Sequence, residues 1–142
     1  MDEADFRRAL AHPQVMIGSD GSSLAVEGVM GAGKPHPRNY GTFPRVLGHY
    51  ARDEKLISLP EAVRKMTGLP ADRLGLADRG VLRVGARADV VAFDAARIID
   101  RATYEEPHRY AAGVSHVLVN GRVVVEGGEH TGALPGRVLS PS

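Results

Sequence analysis

The chain has 142 residues, a length typical of one domain and sufficient to bury a core. Its 18 basic and 17 acidic residues give a net charge of +1, which argues against a nucleic-acid-binding surface. It contains no cysteine, so disulfides and thiolate metal sites are excluded. No apolar run approaches the ~20 residues of a membrane span, and no secretory signal is evident. We therefore expect a cytoplasmic protein without membrane or nucleic-acid partners.

The first elements predicted along the chain are a helix and a strand. Asp2 to Leu10 has acids in its first turn and arginines near its end, which matches the helix dipole, and Asp2 is expected to cap it. His12-Pro13 ends this helix. Val15 to Ile17 is then expected to form a short buried strand, and this order of elements is typical of α/β architecture.

A long glycine-rich loop is predicted from Gly18 to Gly41. Within it, Gly28 to Lys34 matches the letter pattern G-x-x-x-x-G-K of a phosphate-binding loop. Pro35 stands where that loop needs a Ser or Thr hydroxyl for magnesium, and it disfavours a helix at Lys34. We interpret the stretch as a flexible glycine loop and keep a phosphate-binding protein as a remote alternative.

Helices are predicted after this loop. Thr42 is expected to cap a helix that runs to about Arg52. The stretch Ser58-Leu59-Pro60-Glu61 is a capping box that begins a second helix, whose apolar residues recur with helical spacing. Gly68 is expected to end it in a left-handed conformation, and Pro70 to Leu74 forms one more turn.

The second half of the chain has a strand-like period. Val81 to Val84 and Val90 to Phe93 predict strands. Ser115 to Val119 and Arg122 to Glu126 are joined by Asn120-Gly121. This pattern predicts a hairpin with a two-residue type I′ turn, because both turn positions need positive φ. We therefore expect an antiparallel β module.

The residue with the clearest chemical interest is Asp20, which lies between two glycines directly after the first predicted strand. Such an acid is commonly a turn residue that bonds the backbone locally. A carboxylate between a strand and a helix also occupies the catalytic rim of a β/α barrel, and the pattern alone leaves both readings open. His36 and Arg38 lie in the same loop and could face Asp20, either as loop structure or as substrate contacts.

Several motifs together indicate a family. They are MIGSDG (16–21), HPRNYGTF (36–43), KMTGLPA (65–71), LGLADRG (74–80), GARADVV (85–91) and VNG (119–121). These stretches strongly resemble the C-terminal part of the N-acyl-D-amino-acid deacylases, or D-aminoacylases, of the metal-dependent amidohydrolase superfamily. The first two motifs point to the deacylase branch, whereas the later ones recur across many amidohydrolases.

The resemblance implies a (β/α)₈ barrel beside a small β domain that is built from both ends of the chain. The fold class is then α/β plus β. Residues 1–75 would be the last β/α unit of the barrel, with the Asp20 strand, the glycine loop and the closing helices. Residues 76–142 would be the C-terminal part of a small β-sandwich domain. Because a whole barrel needs about 250 residues, we expect a fragment of such an enzyme.

The resemblance also implies a reaction, the zinc-dependent hydrolysis of N-acyl-D-amino acids to a D-amino acid and a carboxylate. Zinc would lower the pKa of its bound water to roughly 7. Asp20, by resemblance, contacts the metal, takes the proton from that water and hands it to the departing amine. His36 and Arg38 are the candidate substrate-binding residues.

The chain departs from the family in its metal ligands. The family's His-x-His motif is absent, as is its cysteine, and only Asp20 matches the implied ligand set. We therefore expect the isolated chain to hold no zinc and to be inactive, with a complementing barrel chain as a candidate partner. The alternative is a non-catalytic β-rich module that packs or dimerises through open strand edges.

Overall fold

The computed structural model describes residues 2–140, in which helices precede a small β-sheet. The helical elements are α1 (Glu3–Ala11), a 3₁₀ turn (Val29–Gly31), α2 (Arg38–Arg45), a π-helix that directly continues α2 (Val46–Asp53), α3 (Leu59–Met66) and α4 (Gly68–Arg73). The strands are β1 (Val90–Phe93), β2 (Val114–Val119), β3 (Arg122–Glu126) and β4 (Glu129–His130). Over the described residues, no helix combines the length and apolar character that crossing a bilayer requires.

The four strands form one antiparallel sheet in the order β1-β2-β3-β4. At the turn between β2 and β3, Asn120 has φ 49° and Gly121 has φ 78°, so the predicted type I′ hairpin is confirmed. Contacts from the preceding segment hold this turn: Asp89 accepts the Asn120 N–H at 2.8 Å, and Arg79 donates to the Asn120 side chain at 2.7 Å. The predicted strand Val90–Phe93 is also confirmed, as β1.

The predicted strand Val81–Val84 is wrong, because this stretch is irregular. Its backbone takes part in a local turn, in which the Ala86 N–H donates to the Arg83 carbonyl at 3.1 Å. A strand needs a neighbouring ladder, and within residues 2–140 none pairs with this segment. Leu82 and Val84 are consequently 82% and 101% exposed.

Helix α1 is confirmed, but its predicted cap is wrong. The Asp2 side chain makes no capping hydrogen bond, and only its backbone carbonyl accepts, from the Phe6 N–H at 3.0 Å. The helix is held instead by its packing and by an ion pair between Arg7 and Glu54 at 2.5 Å. Burial of Leu10 adds to this, at 4% exposure.

Helix α3 begins after Ser58, whose hydroxyl accepts the Glu61 N–H at 3.3 Å, as the capping box predicts. The Glu61 carboxylate accepts from Arg64 at 2.7 and 2.8 Å, which is the stronger, charge-assisted choice. The prediction that Gly68 ends the helix in a left-handed conformation is wrong. Thr67 makes the break, with φ −129° and ψ −85°, and Gly68 begins α4.

Helix α2 begins at Arg38, one turn before the predicted cap at Thr42. Pro37 precedes the first turn with a helical φ of −52°, and it has no N–H that would need a partner. The Thr42 hydroxyl therefore lies inside the helix, where it donates to the Arg38 carbonyl at 3.1 Å. Pro44 also lies inside α2, and the turns beyond it are wound as the π-helix.

One hydrophobic core joins the helices to the sheet. Its buried members are Leu10, Val46, Leu47, Tyr50, Ala51, Ile57, Ala62 and Ile98. Phe93 of β1 and Val114 of β2 pack against this cluster. Residues from both sides of position 75 therefore bury apolar surface against one another.

The helices approach the β-rich half closely at Gly48. A Cβ at this position would lie 2.2 Å from the carbonyl oxygen of Ile98 and 2.8 Å from the Ile99 side chain. Arg52, one turn further along the π-helix, donates to the same Ile98 carbonyl at 2.7 Å. The absence of a side chain at Gly48 therefore allows the helix to rest on the backbone of residues 98 and 99.

We predict that Gly48→Ala lowers the free energy of unfolding by about 3 kcal/mol, because the added methyl group meets rigid backbone rather than a flexible side chain. Urea unfolding measures this difference. Gly136→Ala is the matched control, since a Cβ there has no atom within 4 Å. Equal losses in the two variants would contradict the packing described for Gly48.

Candidate active site

Asp20 follows an extended segment that differs from the predicted strand. Val15–Ile17 has no strand partner within residues 2–140, and Met16 is 41% exposed, so the prediction of a buried strand is wrong. The Ile17 N–H donates instead to the carbonyl of Lys65 at 3.1 Å. The segment that leads to Asp20 is therefore bonded to the C-terminal end of α3 rather than to another strand.

Two basic side chains of α3 hold the start of this segment. The Lys65 ammonium donates to the carbonyls of His12 and Val15, the latter at 2.9 Å, and Arg64 donates to the Pro13 carbonyl at 2.6 Å. Lys65 is fully buried, and burial lowers the pKa of its ammonium. Its bonds satisfy carbonyl groups that would otherwise need other partners. Sequence reasoning assigned no role to Lys65, because its partners lie about 50 positions away.

Asp20 has a left-handed backbone, with φ 49°, and its carboxylate forms an ion pair with Arg38 at 2.8 Å. The Asp20 side chain is 83% exposed, and that of Arg38 is 45% exposed. The structure therefore brings together two of the three residues that the sequence singled out. It presents them as an accessible carboxylate beside a guanidinium at the first turn of α2.

The backbone around Asp20 is attached to the first turn of α2. Asn39 accepts the Ser22 N–H at 2.6 Å, and the Tyr40 hydroxyl donates to the Ala25 carbonyl at 2.9 Å. A Cβ on Gly21 would lie 3.1 Å from the Asn39 Cα, so this approach favours glycine at position 21. Sequence reasoning missed Asn39 and Tyr40 as contacts, although both stand directly after Arg38 in the motif.

His36 lies beside Arg38 but makes no contact with Asp20. Its Nδ1 accepts the backbone N–H of Arg38 at 3.0 Å. We therefore assign the ring proton to Nε2, which lies 2.9 Å from the Tyr104 hydroxyl. The two rings meet edge to face with centroids 5.0 Å apart. His36 thus orients the start of α2 and links it to the segment between β1 and β2, a contact that sequence reasoning missed.

The structure of Gly28–Lys34 supports its interpretation as a glycine loop rather than a phosphate-binding loop. Its only regular element is the short 3₁₀ turn Val29–Gly31, and no helix begins at Lys34. Gly28 and Gly33 take positive φ angles of 70° and 83°. The backbone therefore lacks the strand-to-helix geometry in which such a loop holds phosphate.

A metal centre needs more ligands than this site brings together. Over the described part of the chain, no group of three or more His, Cys, Asp or Glu side chains is placed to hold a metal ion. A catalytic zinc has three protein ligands and an open position. The single carboxylate of Asp20, already paired with Arg38, does not fit that requirement by itself.

Comparisons with known proteins agree on one family. Residues 4–125 match the model of an amidohydrolase family. A D-aminoacylase from Alcaligenes xylosoxydans xylosoxydans is 52% identical over 140 residues, which cover 99% of this chain and 28% of that protein. The chain thus spans about a quarter of the length of the curated deacylases that it matches.

Solved structures show that the similarity includes the three-dimensional fold. A D-aminoacylase with a binuclear metal centre is 50% identical and superposes with a TM-score of 0.89, covering 99% of this chain and 28% of its own. An N-acyl-D-glutamate deacylase from Bordetella bronchiseptica, complexed with zinc and a phosphonate inhibitor, is 47% identical with a TM-score of 0.78. That match covers 87% of this chain and 25% of the deacylase.

We predict that Lys65→Met lowers the free energy of unfolding by about 1–3 kcal/mol, because the His12 and Val15 carbonyls lose a buried donor. Urea unfolding checks the value. Lys34→Met makes the same chemical change at an exposed position and should leave stability nearly unchanged. A loss at position 65 no larger than at position 34 would contradict the stabilising role of the hydrogen bonds from Lys65 to His12 and Val15.

A second prediction concerns pH. Burial lowers the pKa of Lys65 from its ordinary 10.5, so between the two values the unfolded chain binds more protons than the folded one. The free energy of unfolding of the unsubstituted chain should therefore rise with pH through this window. Below the window, the full cost of burying the charged Lys65 ammonium lowers stability. Urea unfolding at increasing pH should show that the free energy of unfolding rises more in the unsubstituted chain than in Lys65→Met. Parallel pH profiles would contradict it.

Proposed function

The chain belongs to the amidohydrolase family, and from that premise we propose that it supplies the Asp20 part of an N-acyl-D-amino-acid deacylase. Such an enzyme hydrolyses the amide bond of an N-acyl-D-amino acid. The observation that carries the proposal is the exposed Asp20 carboxylate beside Arg38, on a chain about half identical to a D-aminoacylase. We place the enzyme in the cytoplasm, with a small molecule as its substrate.

We propose the following architecture for the whole enzyme. Residues 1–75 form the end of a (β/α)₈ barrel, and residues 76–142 form the C-terminal part of a small β-sandwich domain. The TM-score of 0.89 against a D-aminoacylase supports this arrangement, as does the antiparallel sheet of the second half. In a barrel of this kind the chemistry lies at the C-terminal rim, where Asp20 would be placed.

The Asp20 carboxylate is proposed to move the proton in the reaction. Water adds through its oxygen to the carbonyl carbon of the amide and gives one proton to Asp20. That proton passes to the nitrogen as the C–N bond breaks, which yields a carboxylic acid and the amine of the D-amino acid. The exposure of the Asp20 side chain, 83%, supports this role, because both water and substrate can reach it.

Arg38 and His36 are proposed as the substrate-binding residues. A guanidinium is suited to binding a carboxylate through two parallel hydrogen bonds, and every N-acyl-D-amino acid carries a carboxylate. Arg38 is half-exposed and already binds an anionic partner, Asp20, so its position supports such a contact. His36 fixes the backbone of Arg38 through its Nδ1. In this proposal the substrate carboxylate and Asp20 lie on either side of one guanidinium.

The metal places a condition on this proposal. The solved deacylase relative contains zinc, whereas the described residues of this chain present one carboxylate at the site. We therefore propose that Asp20 contacts the metal only within an assembly that supplies the remaining ligands. The activity belongs to that assembly, to which a complementing barrel chain, attached or separate, would contribute.

We predict that Asp20→Asn lowers kcat by about 10²–10⁴-fold, because the amide keeps the size of the side chain but cannot accept the proton. The assay uses the Alcaligenes D-aminoacylase with its matching segment replaced by this chain, and N-acetyl-D-leucine as substrate. Asp72→Asn, at an exposed acid of α4, is the control and should retain the parent rate. An Asp20→Asn rate within about threefold of the parent would return Asp20 to the role of a turn residue.

A further inference from the structure

The segment between β1 and β2 brings a tyrosine hydroxyl to the start of α2. Residues 103–106 are closed on themselves by two hydrogen bonds. The Thr103 N–H donates to the Glu106 carbonyl at 3.1 Å, and the Glu106 N–H donates to the Thr103 hydroxyl at 3.0 Å. Tyr104 lies within this closed stretch, and its hydroxyl is 2.9 Å from the Nε2 of His36. The reaction proposed above gives Tyr104 no role.

A second set of aromatic contacts holds the same segment against α2. The Tyr40 ring lies edge to face with that of Tyr110, with centroids 5.9 Å apart, and it packs at the same distance against the His108 ring. The segment is thus joined to α2 at two places, through Tyr104 and through this ring cluster. The position of the Tyr104 hydroxyl is therefore set by the structure, although its side chain is 70% exposed.

The backbone N–H of Arg38 depends on the ring of His36. The first N–H groups of a helix have no acceptor within the helix. In α2, the Asn39 N–H donates to the His36 carbonyl, whereas the Arg38 N–H donates to the His36 Nδ1 at 3.0 Å. Only an unprotonated Nδ1 can accept this bond. The hold on the backbone of Arg38 therefore requires one tautomer of His36.

The Tyr104 hydroxyl stabilises that tautomer. Which nitrogen of a neutral imidazole carries the proton is set by the hydrogen bond that the other nitrogen makes. With its proton on Nε2, the His36 ring donates to the Tyr104 oxygen and leaves the Nδ1 lone pair for the Arg38 N–H. The opposite tautomer would place an Nδ1 proton against the Arg38 N–H, so that two donors would face each other.

We propose that Tyr104 is a positioning residue that fixes Arg38 through the His36 ring. The guanidinium of Arg38 pairs with the Asp20 carboxylate at 2.8 Å, so the backbone hold also orients the charged group at the candidate site. In its consequence for substrate binding, this inference rests on the proposed function, in which Arg38 binds the substrate carboxylate. Tyr104 itself touches neither Asp20 nor the reacting atoms in this account.

The first measurement is hydrogen exchange of the Arg38 backbone amide, followed by NMR in this chain at slightly alkaline pH, where histidine side chains are ordinarily neutral. Tyr104→Phe removes the hydroxyl and keeps the ring. We expect it to accelerate this exchange about five- to tenfold, the effect of losing one supporting hydrogen bond. Unchanged exchange would overturn the proposal.

Tyr110→Phe is the matched control, because it removes a hydroxyl from the same segment. That hydroxyl accepts the Val26 N–H at 3.4 Å and has no contact with His36. We expect the control to change the exchange of the Arg38 amide by less than about twofold. Equal acceleration in the two variants would overturn the proposal, since it would indicate a general loosening of the segment.

A double variant tests the route through His36. His36→Ala removes the ring that accepts the Arg38 N–H, so adding Tyr104→Phe to it should accelerate the exchange no further. A further acceleration as large as that of Tyr104→Phe alone would overturn the proposal, because Tyr104 would then act by another route.

Kinetics test the consequence for substrate binding. In the Alcaligenes D-aminoacylase that carries this chain, Tyr104→Phe should raise the KM for N-acetyl-D-leucine about three- to tenfold and change kcat by less than about twofold, because a carboxylate contact is made equally in the ground and transition states. An unchanged KM would overturn the inference. An inactive unsubstituted hybrid, with exchange at Arg38 accelerated as expected, would refute the proposed function and leave the positioning of Arg38 intact. Unchanged exchange in an active hybrid would do the reverse.

Discussion

The contact between Gly48 and the backbone of Ile98 sets the geometry on which the rest of the chain depends. It is the point at which the π-helix touches the β-rich half without an intervening side chain. Arg52 reinforces it by donating to the carbonyls of Ala96 and Ile98. Because α2 continues directly into this π-helix, the same contact fixes the direction in which α2 presents Arg38. The position of the site is thus a consequence of core packing far from it.

Asp20 is held from two sides that are independent in sequence. On one side, the C-terminal end of α3 bonds the segment that leads to it, through the buried ammonium of Lys65 and its own backbone carbonyl. On the other side, the first turn of α2 binds the loop that follows through Asn39, and its Arg38 pairs with the Asp20 carboxylate. The left-handed backbone of Asp20 thus lies between two anchors, and the ion pair with Arg38 orients its carboxylate.

The elements that could be predicted from the sequence are those whose signals are local. The Asn120-Gly121 hairpin, the helix after Ser58 and helix α1 each depend on residues within a few positions of one another. Val81–Val84 has the composition of a strand but lacks a partner strand among the described residues, and composition alone cannot reveal that. The same distinction applies to the site. Asp20 and Arg38 share a recognisable loop, whereas the contact of His36 with Tyr104 spans 68 positions and has no local signature.

The candidate site and an apolar groove between α2, α3 and β1 are both open to solvent in this structure. Asp20 is a single carboxylate whose partner in this chain is a cation, although zinc sites in proteins require several converging ligands. The groove exposes apolar side chains over a continuous core, although burial of such surface contributes about 25 cal/mol per Å². A non-catalytic module would explain an open groove but not an exposed acid held at two anchors. The proposed deacylase assembly would account for both, because it would supply further metal ligands and could bury apolar surface.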